Sequence, residues 1–139
     1  MFCLGIDPVD WFLYGAMMIA DKSRTRASLK PRFRVLRGKD IALGPGKVEL
    51  LAAVAKAGSL SEAASQLRMS YMRAWTLVNT MNKCFKEPVI SAVRGGRSGG
   101  GMKVTDTGRH ALALYYEIQA AAVASARSPW RRLERLLRP

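Results

Sequence analysis

Histidine, cysteine and acidic residues are all scarce in this 139-residue sequence. It contains one histidine, His110, and two cysteines, Cys3 and Cys84, which lie far apart and form no Cys-x-x-Cys pair. A zinc site, a disulfide framework and a Cys–His catalytic pair all need more of these residues. We therefore expect no resident metal, no cofactor and no enzymatic activity. The same composition suits a reducing, cytoplasmic environment.

The shortage of acidic residues leaves a strong positive charge. Ten Asp and Glu residues stand against 23 Lys and Arg, which gives a net charge of +13. Because 49% of the residues are apolar, this excess does not indicate a disordered basic tail. It indicates a compact protein with an anionic partner, such as nucleic acid or a membrane surface.

Only residues 2–20 resemble a long hydrophobic run, and acidic residues interrupt it. Asp7, Pro8 and Asp10 lie within the run, and no basic residue precedes it as one would in a secretory signal. A membrane-spanning helix of this length tolerates two aspartates poorly. We therefore expect residues 1–30 to be an irregular extension, with translation starting at Met17 or Met18 as one alternative, and we expect no membrane anchor.

Alternating residues predict a short β-hairpin ahead of the helices. Phe33 and Val35 would face one side of the first strand, and Ile41–Leu43 would return as the second. Four helices with i, i+3, i+4, i+7 spacing are then predicted. The first contains Val48, Leu51, Ala52 and Ala55 and ends at Gly58; the second contains Leu60, Ala63, Ala64 and Leu67; the third contains Ala74, Val78, Met81 and Phe85 and ends at Pro88; the fourth runs from Thr105 to Ala126 with Ala111, Tyr115, Ile118 and Ala122 on one stripe.

The second and third helices are separated only by Arg68, Met69 and Ser70. Ser59, with Ser61 as a rival, and Ser70 are suitable N-caps for these two helices. Two short helices joined by so tight a turn are typical of a helix-turn-helix, whose second helix enters the DNA major groove. The alternative is an ordinary solvated helix pair.

Several side chains of this unit are candidates for DNA contact. Arg73 suits a guanine edge, Tyr71 and Thr76 suit phosphate or base, and Met72 suits a thymine methyl group. Trp75, beside the core line, either packs or reads DNA. The complete predicted DNA-binding set is Ser59, Ser61, Ser70, Tyr71, Met72, Arg73, Thr76, Arg94, Arg97 and Lys103.

A glycine-rich hairpin is predicted after the third helix. Val89–Arg94 and Met102–Thr105 are its expected strands, with Gly95–Gly101 as the tip. A hairpin in this place is the wing of a winged helix, where Arg94, Arg97 and Lys103 would contact phosphates or enter a minor groove. A phosphate-binding loop is the competing interpretation, but methionine 102 stands where that motif requires lysine.

The C-terminal residues 127–139 hold five arginines and one glutamate. Trp130, Leu133 and Leu137 share one side, so a short amphipathic helix is predicted. This basic tail suits DNA, a protein partner or an anionic membrane, or it is only a solvated face.

Residues from about Gly46 to Ile118 resemble the DNA-binding domain of the ModE family, the molybdate-responsive bacterial repressors, and more distantly LysR-type regulators. The motifs that carry this resemblance are Gly58-Ser59-Leu60-Ser61 with Ala63-Ala64, Ser70-Tyr71 with Ala74-Trp75, Asn79 with Met81-Asn82, Gly95-Gly96, Gly99-Gly100-Gly101, and Thr105 with Gly108. The resemblance implies a winged-helix homodimer that binds operator DNA, with the long helix after the wing supporting dimerisation.

The expected fold class is therefore mainly α with small β: a winged helix-turn-helix, preceded by a short β-hairpin and followed by a long C-terminal helix. The expected divisions are an extension at 1–30, the DNA-binding domain with its dimerisation helix at 31–126, and a basic tail at 127–139. The chain is similar to short, stand-alone ModE-like proteins, and we expect no molybdate-binding domain. Ser125-Ala126-Arg127 resembles the family's oxyanion-binding segment, but three residues are a weak match.

These features predict a sequence-specific transcriptional regulator that binds double-stranded DNA as a homodimer in the cytoplasm. Two alternatives remain open. One is a non-specific or architectural nucleic-acid-binding protein with the same fold, and the other is a winged-helix module that binds an acidic protein.

Overall fold

The structure, a computed structural model, describes residues 26–96 and 99–139. Within them lie five helices and two antiparallel hairpins, so the predicted class, mainly α with a small β content, is confirmed. The elements are β1 Val35–Arg37, β2 Asp40–Leu43, α1 Pro45–Ala57, α2 Leu60–Gln66, α3 Tyr71–Cys84, β3 Ile90–Gly96, β4 Gly99–Val104, α4 Asp106–Ser125 and α5 Arg127–Glu134. None of these helices is long and apolar enough to cross a membrane.

The chain divides into two compact units. One is Arg32–Leu112, which holds both hairpins, α1, α2, α3 and the first turns of α4. The other contains Ala113–Pro139 and the described residues before Arg32. In this second unit the side-chain amide of Gln119 donates to the carbonyl of Pro31 at 3.4 Å.

Helix α1 supplies the centre of the first unit's core. Leu50, Leu51 and Val54 are fully buried, and the helix ends where predicted, with Gly58 in the left-handed conformation at φ 71°. The predicted buried line was partly wrong, because Ala55 is exposed. Burying Leu50 and Val54 removes more apolar surface from water than burying an alanine, and this decides which face turns inward.

Lys47 is the buried charged residue of the described chain. Its ammonium group donates to the carbonyl of Ile41 on β2, which ties the start of α1 to the first hairpin. Burial lowers the pKa of Lys47 from its ordinary value, while Cys84 and Asp40 act in the opposite direction. Lys47 therefore has a structural role, which is to join α1 to the first hairpin.

The later elements also differ in detail from the prediction. Helix α3 ends at Cys84, with the amide of Phe85 bonded to Met81, so Pro88 lies beyond the helix end and does not set it. On α4, Ala111 and Tyr115 are buried as expected, but Ile118 is exposed. The amphipathic tail helix is present as α5, and none of its residues is buried.

Candidate nucleic-acid interface

Serine side chains fix the start of both central helices. The hydroxyl oxygen of Ser59 accepts from the amide of Glu62 at 3.1 Å, and that of Ser70 accepts from the amide of Arg73 at 3.1 Å. Each cap satisfies a backbone donor that a helix start otherwise leaves unpaired. Ser59 is therefore the cap of α2, whereas its rival Ser61 is an exposed residue inside that helix.

The turn between α2 and α3 reverses the chain through one left-handed residue. Arg68 has φ 54°, a conformation that glycine adopts far more readily than arginine. The amide of Met69 then bonds to the carbonyl of Ala64 at 3.0 Å, which closes the end of α2. Three residues are thus enough to end α2 and to begin α3.

The first turns of α3 present large side chains to solvent. Tyr71 is 51% exposed, Met72 67% and Trp75 38%, and Arg73 is exposed as well. The opposite face is buried through Ala74, with Val78 and Met81 following it on the predicted line. Trp75, which the sequence left ambiguous, is therefore accessible on the outer side.

Two threonines on this outer face are already engaged. The hydroxyl of Thr76 donates to the carbonyl of Met72 at 2.9 Å, and that of Thr80 donates to the carbonyl of Thr76 at 2.9 Å. Their protons are committed to the helix backbone, but their oxygens can still accept a hydrogen bond. The Thr76 side chain therefore offers a ligand one hydrogen-bond acceptor, its hydroxyl oxygen, and one apolar group, its methyl.

The glycine-rich hairpin is longer than predicted. Strands β3 and β4 pair with Ile90 opposite Val104 and extend into the glycines until Gly96 lies opposite Gly99. Arg94 on β3 and Lys103 on β4 are both exposed. Arg97, the third predicted contact of this hairpin, lies outside the described residues.

Asn82 joins the end of α3 to the start of β3, a role that the sequence did not reveal. Its side-chain oxygen accepts from the amides of Val89 at 2.9 Å and Ile90 at 3.3 Å, and its nitrogen donates to the carbonyl of Ile90 at 3.0 Å. Because Val89 and Ile90 are buried, these bonds satisfy backbone groups with little access to water. The available signal was an asparagine directly after the core residue Met81.

The other strand of the hairpin is held against the loop between α1 and α2. The amide of Met102 donates to the carbonyl of Gly58 at 3.3 Å. A Cβ atom on Gly101 would lie 2.6 Å from that same carbonyl oxygen, closer than real contacts allow. The last glycine of the triple-glycine motif is thus required by close backbone packing.

Thr105 and Gly108 close the hairpin onto α4. The Thr105 hydroxyl donates to the carbonyl of Pro88 at 2.6 Å and accepts from the amide of Gly108 at 3.1 Å. A Cβ on Gly108 would lie 2.1 Å from the carbonyl oxygen of Val89. The hairpin is therefore fixed at its base on both strands, by Asn82 and by this threonine–glycine pair.

In the second unit, basic side chains gather around α5. Four arginines line one shallow concave surface together with two serines: Arg127, Arg131, Arg132, Arg135, Ser125 and Ser128. Elsewhere, His110 is exposed and Cys84 is half-buried. The described residues contain no group of three or more His, Cys, Asp or Glu side chains that could hold a metal ion.

Comparison with known proteins finds relatives that match a little more than half of this chain. No family model matches the chain. Over 78 residues, 56% of the chain, it is 40% identical to the molybdenum transport protein ModE of Azotobacter vinelandii, covering 29% of that protein. It is 40% identical over 86 residues to the molybdenum-pterin-binding protein MopB of Rhodobacter capsulatus, covering 62% of this chain and 32% of MopB.

A third relative is described as a DNA-binding regulator. The chain is 34% identical over 71 residues to the DNA-binding transcriptional dual regulator ModE of Escherichia coli K12, covering 51% of this chain and 27% of that protein. The chain thus spans about three tenths of the length of these curated relatives. Over a little more than half of its length, this chain is therefore similar to ModE-family proteins.

Proposed function

We propose that this protein is a sequence-specific transcriptional regulator that binds double-stranded DNA as a homodimer. One observation carries the proposal: the exposed start of α3 and the basic hairpin are fixed to the same framework, by the Ser70 cap and by the Asn82 bridge. A recognition helix and a wing must keep a constant relative position if both are to contact one duplex. We accordingly interpret α2, α3 and the β3–β4 hairpin as a winged helix-turn-helix.

In this proposal α3 enters a major groove with its first turns against the base edges. Arg73 donates two hydrogen bonds to a guanine, while Tyr71, Met72 and Thr76 contact bases or phosphate. Ser59, Ser61 and Ser70 lie near helix starts, where serine hydroxyls and backbone amides commonly bind phosphate. These roles are supported by exposure at Ser61, Tyr71, Met72, Arg73 and Thr76.

The β3–β4 hairpin contacts the flanking backbone in the same complex. Arg94 and Lys103 are exposed on its two strands and suit phosphate groups or the minor groove. Arg97 is assigned the same role from its place in the sequence. Such contacts raise affinity for any duplex and set the register of α3 without selecting bases.

Dimerisation is assigned to α4 and places two copies of α3 on one duplex. Leu114 and Ile118, one turn apart on this helix, are 45% and 51% exposed, so an apolar strip is available for a second copy. Two-fold symmetry predicts a palindromic site with its halves one or more helical turns apart. We place the dimeric regulator in the cytoplasm and assign it no catalytic role.

Molybdate has no assigned site in this proposal. The names of two relatives refer to molybdenum transport or molybdenum-pterin binding, and both proteins are much longer than the matched region. Addition of micromolar molybdate is expected to leave the thermal unfolding midpoint unchanged. An upward shift would show that the chain binds the oxyanion.

Selection from a pool of random duplexes at moderate salt tests the main proposal. An enriched palindrome is the expected result, and Arg73→Ala should then lower the preference for that duplex over random DNA by about 1–3 kcal/mol. Uniform, salt-sensitive binding without enrichment would favour an architectural protein, and no binding at all would favour a protein-interaction module. If Arg73→Ala kept the full preference for the enriched duplex over random DNA, α3 would not be the recognition helix.

A further inference from the structure

One strip along the outer face of α3, formed by Met72, Thr76 and Thr80, offers few free hydrogen-bond donors, although Tyr71, Arg73 and Trp75 beside it are exposed and carry donors. Met72, its most exposed large side chain in the first turns, has none. Thr76 and Thr80 follow Met72 at intervals of four residues on the same strip, and both have committed their protons to backbone carbonyls. This strip therefore presents a thioether chain, methyl groups and hydroxyl lone pairs.

The edges of the base pairs differ in how well they suit such a surface. In the major groove a guanine shows two acceptors, which need donors from the protein. An A·T pair also shows two acceptors, but it adds the adenine amino donor and the thymine 5-methyl group, which match a hydroxyl acceptor and an apolar side chain. Cytosine shares the amino donor, so the methyl group is the feature that distinguishes thymine. The strip of Met72, Thr76 and Thr80 thus complements the thymine methyl group, while Tyr71, Arg73 and Trp75 beside it supply donors.

The exposed side chain of Met72 is available for a partner to cover. A methionine that is 67% exposed gains little from its own fold, yet it gains free energy when a partner covers it. The Ser70 cap fixes the turn on which Met72 stands, and the Thr76 hydroxyl is bonded to its carbonyl. The apolar side chain is therefore displayed from a backbone that is already ordered.

We propose that α3 selects its DNA site in part through thymine 5-methyl groups, with Met72 packing on a methyl group and Thr76 accepting from an adjacent adenine. This inference rests on the proposed function, because it requires α3 to lie in the major groove. It adds thymine contacts to each half-site beside the guanine assigned to Arg73, and it gives Met72 a part in selecting them.

Replacement of thymine by deoxyuridine tests this inference directly. The duplex enriched from the random pool is prepared again with deoxyuridine at every thymine, which removes the methyl groups and keeps the Watson–Crick edges. We expect binding to weaken about fourfold for each methyl group in contact, the effect of exposing roughly one buried CH₂-sized group. Single replacements along the duplex should confine the weakening to one or two positions in each half-site.

The Met72→Ala variant separates direct contact from changes in DNA shape. This variant should bind the thymine and deoxyuridine duplexes with nearly equal, weakened affinity, because the side chain that senses the methyl group is gone. Leu36→Ala is the matched control, since Leu36 is 64% exposed on the β1–β2 hairpin. It should keep the full difference between the two duplexes, and both variants should unfold at the wild-type temperature.

The outcomes distinguish this inference from the proposed function. If the wild type binds an enriched duplex but does not distinguish thymine from deoxyuridine, DNA binding stands and methyl recognition is wrong. A methyl dependence that persists undiminished in Met72→Ala would also overturn it, because DNA shape would then carry the effect. Failure to enrich any duplex would overturn both.

Discussion

The β3–β4 hairpin with α3 and the arginine-rich helix α5 are both exposed and basic, but they are built differently. Three hydrogen bonds from Asn82 hold β3 to α3, and the Thr105 hydroxyl makes two more at the base of the hairpin. Helix α5 has no buried residue at all. Positive charge does not distinguish the two regions, whereas fixed geometry favours α3 with the hairpin as the proposed recognition surface, because base recognition needs side chains held in register.

The largest expected effect is at Asn82, whose side chain joins the hairpin to α3. Asn82→Ala removes three hydrogen bonds and leaves the amides of buried Val89 and Ile90 without this partner. We expect the free energy of unfolding in urea to fall by about 2–4 kcal/mol. Asn79→Ala, one turn earlier on α3, is the control and should change it by less than about 1 kcal/mol. Equal effects would mean that the hairpin is not held by Asn82.

Removal of the charge on α5 tests the other side of the comparison. Changing Arg127, Arg131, Arg132 and Arg135 together to alanine should leave the unfolding temperature unchanged, because none of these side chains is buried. Binding to the selected duplex and to random DNA should weaken by the same factor, about 10- to 100-fold. The log–log salt slope should become shallower by about 0.9 for each phosphate that the variant no longer neutralises.

A selective weakening at the preferred duplex would contradict this division of roles. It would mean that α5 contributes to sequence reading, and the contrast between fixed geometry and general charge would fail. Fluorescence anisotropy over a range of salt concentrations measures both quantities. Arg73→Ala serves as the reciprocal control, since its effect should be concentrated on the selected duplex.

Removal of the N-cap of α3 is expected to lower the free energy of unfolding by less than the Asn82 substitution does. Ser70→Ala should lower the free energy of unfolding by about 1 kcal/mol, because the amide of Arg73 loses its partner. Ser70→Asp keeps a capping oxygen, so it should preserve stability while its negative charge weakens DNA binding. Ser61→Ala, which removes an exposed hydroxyl that does not cap α2, should stay within about 0.5 kcal/mol of the wild type in chemical denaturation.

The smallest expected effect is a gain in stability at the turn. Arg68 is held at φ 54°, so Arg68→Gly should raise the free energy of unfolding by about 0.5–1 kcal/mol. Arg68→Ala removes the same charge and keeps the unfavourable conformation, so thermal unfolding should show no gain for it. A similar gain in both variants would attribute the effect to charge repulsion.

Local features of the site were predictable from sequence, and contacts across the fold were not. Ser59 and Ser70 were identified as caps because a cap depends on residues three positions away. The bridge from Asn82 to Val89 and Ile90 depends on where β3 lies relative to α3. The exposure of Ile118 was missed for the same reason, since spacing predicts an apolar stripe but not what covers it.

The sequence by itself determined the order of the elements, the helix caps, the central buried line of α3 and the resemblance to ModE-family regulators, because each depends on short spacings along the chain. Tertiary structure decided which face of α1 is buried, how far the strands extend into the glycines, and how the hairpin is fixed to α3. Gly101 and Gly108 show the physical reason: each lies where another backbone approaches too closely for a Cβ atom. Such an approach is set by packing between segments that are distant in the chain.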